Sequence, residues 1–186
     1  MATDVKTKLL TAEEFMAADL GDGSFELVRG EVIQVPPTMP EHGLICVNIV
    51  VALWNYGKRT GHGYPISNDS AVVTERGPDT VRGADISYYR QDHWPRSEVG
   101  WTLPPVQPDL VVEVYSPGNR RGKILEKLAE YLGAGIPLVW IVYPKSRTVT
   151  MYRSLDEPPD VLKQDAVIEN LPELPGFRCP VADFFL

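Results

Sequence analysis

Glu113 stands between Val112 and Val114 in the most apolar stretch of the chain, Leu110-Val-Val-Glu-Val-Tyr115. An isolated carboxylate buried there costs several kcal/mol, so the position demands a proton, a cationic side chain or a metal ion. Asp85 repeats the pattern, set between Ala84 and Ile86 and ahead of Tyr88. If the two segments are paired strands with both acids on one face, two negative charges converge. A divalent cation relieves the repulsion that protonation would otherwise have to remove. Oxygen-only ligands favour magnesium or manganese over zinc.

Other residues are placed to join this pair. Glu31 is a candidate third carboxylate, and Glu26 reads more readily as a solvated edge residue. His42 falls in the first turn of a helix, where a histidine serves either as a surface or capping group or as a proton carrier. Lys127 is flanked at i−3 and i+4 by Ile124 and Tyr131, so it borders an apolar helix face and is a candidate to reach the strand carboxylates. Lys123, one turn earlier, is the alternative lysine. Arg120, Arg121, Lys145 and Arg147 extend the positive charge toward a phosphate-binding patch.

The elements that must carry these residues follow from periodicity and turn chemistry. Thr11-Ala-Glu-Glu14 has the form of a capping box, predicting a short helix from Ala12. Phe25 to Val35 reads as a hairpin turning at Arg29-Gly30. Ile45, Ile49 and Leu53 recur every four residues within a helix from Glu41 to Tyr56. Ala71–Thr74 and Ala84–Tyr89 read as strands around a turn at Gly77, Pro78 and Asp79, followed by a loop over 91–108. Leu110–Tyr115 predicts a central strand ended by Ser116-Pro-Gly118. A helix from Lys123 to Ala134 closed by Gly135 and a strand from Leu138 to Tyr143 complete a βαβ unit. Val149–Arg153 adds a strand, and a Pro-rich tail ends on Phe184-Phe185.

With 186 residues, the chain suits a single domain over 1–186 that buries a core without staples. Hydrophobic residues are 44% and charged residues 23%, which excludes disordered and fibrous classes. A net charge of −7 repels polyanions on average, so a nucleic-acid partner would need a local basic patch. Cys46 and Cys179 lack zinc or disulfide-framework spacing, which fits a reducing compartment. The acidic, interrupted N-terminus does not read as a signal peptide. No apolar run approaches the roughly 18 residues of a membrane helix, so a cytoplasmic protein with no membrane partner is expected. Phosphate-loop, GxSxG, complete GxGxxG and HExxH signatures are missing.

Several of these residues recur together in a known pattern. Phe25-Glu-Leu-Val-Arg-Gly-Glu31, His42, Asp85, Pro108-Asp-Leu-Val-Val-Glu-Val-Tyr-Ser-Pro117, Lys127 with Tyr131, Trp140 and Leu174-Pro-Gly-Phe177 resemble the Uma2 family. The family is assigned to the PD-(D/E)XK, restriction endonuclease-like superfamily, and the likeness runs from Thr11 nearly to the C-terminus. It implies an α/β fold with an αβββαβ core, a mixed sheet flanked by helices, here preceded by an N-terminal helix and hairpin. It also implies a magnesium-dependent phosphodiesterase site with Asp85 as the motif aspartate and Glu113 as the acid of the (D/E)xK element. Tyr115 occupies the usual lysine position, and Lys127 matches the position where Uma2 proteins carry a lysine. Ala84 replaces the usual proline, and Gly122 stands near where relatives have an acid.

The expectation is a Mg²⁺-dependent endonuclease, with Mn²⁺ as substitute. Asp85, Glu113 and the Val114 carbonyl hold the metal, Glu31 assists, Lys127 stabilises the transition state, and His42 contacts substrate or moves a proton. The partner is nucleic acid, taken as DNA, and superfamily analogy suggests a homodimer. Two alternatives remain: an inactive nucleic-acid-binding or protein-interaction module that keeps the fold, and a hydrolase of small phosphodiesters.

Overall fold

The computed structural model describes residues 8–116 and 121–186. The expected strand terminators Pro117 and Gly118, the patch residue Arg120 and the Arg121 side chain lie outside the described residues.

Helix α1, Ala12–Ala17, begins at the expected capping box. The Thr11 hydroxyl accepts from the Glu14 amide at 3.1 Å, and the Glu14 carboxylate accepts from the Thr11 amide at 3.0 Å. Strands β1, Ser24–Val28, and β2, Glu31–Val35, pair antiparallel with Val28 opposite Glu31. Arg29 at φ 51° and Gly30 at φ 81° supply the two left-handed positions of the tight turn. Helix α2 runs Pro40–Thr60, longer than expected, because Pro40 is tolerated in its first turn and Gly61 at φ 70° ends it. It buries Ile45, Ile49, Leu53 and Tyr56, the four-residue stripe seen in the sequence.

Strands β3, Gly63–Glu75, and β4, Thr80–Arg90, form a hairpin much longer than Ala71–Thr74 and Ala84–Tyr89. The middle of β3, Ser67 to Ser70, is polar and carries a bulge. Its register to β4 jumps from Ser67 opposite Ile86 to Ser70 opposite Ala84, and Asn68 and Asp69 adopt φ 71° and 52°. That irregularity hides the strand from an alternation reading. A 3₁₀ turn, Arg96–Glu98, lies within the expected 91–108 loop.

Strand β5, Leu110–Val114, helix α3, Arg121–Gly133, and strand β6, Val139–Tyr143, form the βαβ unit. β5 and β6 run parallel, with Val111 opposite Val139. Strand β7, Thr148–Tyr152, follows. The Pro-rich tail is more structured than expected. It holds β8, Asp160–Lys163, paired with β7, then a separate ribbon of β9, Val167–Leu171, and β10, Leu174–Pro180, before a 3₁₀ turn at Val181–Phe185. These strands are short and broken by prolines, so their periodicity is too brief to read.

Among the described residues the main sheet is ordered β2-β1-β4-β5-β6-β7-β8, with β3 also paired to β4. It is mostly antiparallel, and the run α2-β3-β4-β5-α3-β6 is the αβββαβ core. Helix α2, the β9–β10 ribbon and the C-terminal turn cover one face, packing Leu53, Phe177 and Phe184 with Ile86, Val112 and Trp140. Helix α3 covers the other, where Ile124, Leu128 and Tyr131 meet Val111, Val139 and Ile141. Among the described residues no helix is long and apolar enough to cross a membrane.

Candidate active site

The site arises from a fork in the sheet. β3 pairs with β4 along its length, so β1 and β5 must share the opposite edge, β1 at Val81 and β5 at Ile86–Tyr88. Among the described residues no strand borders the edge of β4 between those contacts, and its buried backbone groups need other partners. Side chains supply them. The Gly83 amide donates to Glu26 Oε1 at 3.2 Å, and the Lys127 ammonium donates to the Gly83 carbonyl at 3.1 Å. Gly83 lets β3 approach closely: a Cβ would lie 3.0 Å from Asp69 Cβ and 3.1 Å from the Asp69 carbonyl oxygen, so the bulge would have to give way.

Lys127 is the hub. From α3 its Nζ reaches Glu26 Oε1 at 2.9 Å and both oxygens of Glu113 at 3.3 Å. The Tyr131 hydroxyl, one turn later, donates to Glu113 Oε1 at 2.7 Å. Arg82 bridges Glu26 at 2.8 Å and grips Glu130 through two bonds of 2.6 and 2.8 Å. Burial raises the Glu113 carboxyl to about 7; Lys127 opposes that rise and Asp85 adds to it. Burial would also raise Glu26, but Lys127 and Arg82 together hold it below the usual range. Burial disfavours the Lys127 ammonium, and Glu113 and Glu26 outweigh that and raise it.

Asp85 lies at the mouth of the fork. Its Oδ2 accepts from the Val114 amide at 2.6 Å, immediately beyond Glu113, and sits 3.1 Å from His42 Nε2. That amide follows Glu113 directly, so the Asp85 carboxylate is near enough for its charge to act on Glu113. His42 comes from the first turn of α2, and its Nδ1 is 3.6 Å from Cys46 Sγ. Burial alone would lower His42, but the hydrogen bond and charge of Asp85 raise it. Asp69, on the bulge, is raised by burial and then by Asp85.

The residues expected from the sequence divide accordingly. Asp85, Glu113, Lys127 and His42 gather at the fork, and Val114 contributes its amide to Asp85. Glu31 does not join them: it is exposed on the outer strand of the hairpin, and Glu26 takes the interior place. This corrects the expectation that Glu31 assists, because β1 rather than β2 borders β4. Lys127 rather than Lys123 touches Glu113; Lys123 is exposed at the rim of a cleft of about 190 Å³ shared with Glu113 and Glu26. Lys145 and Arg147 are exposed in the turn between β6 and β7. Sequence reasoning missed Asp69 and Arg82, and it named Tyr131 only as a neighbour of Lys127, without its bond to Glu113. For Asp69 the advance signal was the Asn68-Asp69 pair, residue types that tolerate left-handed backbone.

Among the described residues five carboxylates, Glu26, Asp69, Asp85, Glu113 and Glu130, gather with two cations, Arg82 and Lys127. Burial first, and the charge of Asp85 after it, make the Glu113 carboxyl favour its proton despite Lys127. This oxygen-rich, anionic donor set fits a hard divalent cation.

The architecture defines the class: a mixed α/β fold with the αβββαβ core and an acid–acid–lysine cluster at a sheet fork. The chain belongs to the Uma2 family, described as "Putative restriction endonuclease", whose model matches residues 12–182. Such a family implies a divalent metal ion. The fold is also that of a crystal structure of "a putative nuclease belonging to DUF820" from Anabaena variabilis ATCC 29413. That protein is 21% identical and superposes with a TM-score of 0.79 over 95% of this chain and 97% of the other. No curated protein matches the chain.

Proposed function

We propose that this protein is an endonuclease that hydrolyses nucleic-acid phosphodiester bonds with Mg²⁺, or Mn²⁺ in its place. The observation that carries the reading is Glu113, buried beside Lys127 at the fork and next to the Val114 amide that holds Asp85. Held by Asp85, Glu113 and the Val114 carbonyl, the ion would supply positive charge at the phosphate and a water of lowered pKa.

The chain's own residues do the rest. Lys127 is fixed by Glu26, Glu113 and the Gly83 carbonyl, so its ammonium is preorganised to stabilise charge developing on phosphorus or to orient water. Tyr131 and Lys127 hold the Glu113 carboxylate in place. Asp85 is oriented by the Val114 amide and His42, which leaves His42 positioned to take or return a proton beside it. DNA is the proposed substrate, admitted past Lys123 at the rim of the Glu113 cleft, and a cytoplasmic homodimer is the proposed form. The net charge of −7, which repels polyanions on average, favours a second reading, a protein-interaction module that keeps the fold without catalysis.

Plasmid and labelled oligonucleotides incubated with Mn²⁺ or Mg²⁺ test the reading. Wild type should cleave, and Asp85→Asn and Glu113→Gln should each lose roughly 10²–10³-fold or more. Undiminished cleavage by either variant overturns the assignment. A wild type that cleaves nothing with either ion supports the module instead.

A further inference from the structure

His42 and Cys46 lie four residues apart on α2, so their side chains stack on one helix face. That face looks onto Asp85. One ligand atom from each of His42, Cys46 and Asp85 can be chosen so that all lie within 4.8 Å of one another. The three line one cleft of about 280 Å³, which Asp69 also borders. A tetrahedral zinc ion holds sulfur, nitrogen and oxygen ligands roughly 3.3–3.7 Å apart, so the three side chains must close up, with His42, whose Nδ1 faces Cys46 and Nε2 faces Asp85, offering one nitrogen to the ion.

We infer that His42, Cys46 and Asp85 form a site for a thiophilic divalent ion of the zinc class, distinct in ligand chemistry from the oxygen-only magnesium site. A thiolate and an imidazole are poor ligands for magnesium and good ones for zinc or cobalt. Binding exchanges the Cys46 thiol proton, released to solvent, for a metal–sulfur bond, and the carboxylates of Asp85 and Asp69 offset the ion's charge. The cleft is open enough for water to complete the coordination sphere. Because Asp85 belongs to both ligand sets, zinc at this site withdraws it from the Asp85–Glu113 pair. Occupancy by zinc therefore switches off Mg²⁺-dependent cleavage; this consequence, unlike the binding itself, rests on the function proposed above.

Metal ions alone are the probes. Wild type titrated with Co²⁺ should develop a thiolate-to-cobalt charge-transfer band, and with Zn²⁺ should take up one ion per chain. Cys46→Ser should abolish the band and weaken Zn²⁺ binding by roughly tenfold or more. It should keep the wild-type unfolding profile and Mn²⁺-supported cleavage, and Cys46→Ala checks that the hydroxyl has not substituted for sulfur. Cobalt bound without a sulfur band, or zinc affinity unchanged in both variants, overturns the site. Zinc that binds through Cys46 yet leaves cleavage unaffected overturns the sharing of Asp85. A cobalt–thiolate band in a protein that never cleaves nucleic acid upholds the site while refuting the nuclease reading.

Discussion

Strand β5 has two faces, and they are stabilised by different physics. Toward α2 it presents Val112 and Val114, packed with Leu53, Trp140 and Phe177 in an apolar layer whose attraction is non-directional and indifferent to pH. Toward α3 it presents Glu113 among Lys127, Tyr131 and, through Lys127, Glu26 and Arg82. On the first face each side chain contributes nearly on its own. On the second the members are stable only as a set, because removing one strands the others as unpaired buried charges. One strand thus anchors the fold on one side and holds a strained, anionic site on the other.

The largest effects should distinguish the faces by their pH dependence. Trp140→Ala, fully buried against Phe177 and Phe184, should cost about 3–5 kcal/mol of stability, equally at pH 5 and pH 8. Lys127→Met should cost about 3–5 kcal/mol at pH 8 and less at pH 5, where Glu113 can take a proton. Denaturant titrations at both pH values measure this. A Lys127→Met loss that did not shrink on acidification would break the comparison.

Glu113 itself sharpens it. Its folded pKa, about 7, lies above its ordinary value of 4.5. Its contribution to stability is therefore fully present below about 4.5 and is lost as pH rises through about 7. Relative to Glu113→Gln, the metal-free wild type should lose stability across that window, and Mn²⁺ should restore it at pH 8 as a rise in Tm. A flat difference between the two proteins would place Glu113 in a less costly environment than its contacts indicate.

Smaller effects follow. Tyr131→Phe removes the 2.7 Å bond to Glu113 and should cost about 1–3 kcal/mol, with Mn²⁺ affinity falling because the anionic form loses a donor. Smallest of all, Glu31→Ala on the outer hairpin strand should stay within about 0.5 kcal/mol with unchanged cleavage. Glu26→Gln, two residues before the same turn's strand end, should weaken both stability and cleavage. Equal responses at the two glutamates would show that the hairpin's inner and outer strands do not differ in role.

Much of this was legible in the chain itself. The capping box at Thr11, the Arg29-Gly30 turn, the Ile45-Ile49-Leu53 stripe and the βαβ unit around β5 are set by local rules of spacing and backbone conformation. So was the demand that Glu113 and Asp85 find partners, because a carboxylate in an apolar strand is costly wherever the strand lies. What no local rule could decide was which residues answer that demand. Glu26 and Glu31 flank one turn in similar surroundings, and only the docking of β1 rather than β2 against β4 turns Glu26 inward. Asp69 enters through a bulge whose register depends on β4, and Lys127 prevails over Lys123 because α3 crosses the fork at that turn. Local conformation is encoded over a few residues, whereas the convergence of charges from β1, β3, β4, β5, α2 and α3 depends on long-range packing that has no signature in sequence spacing.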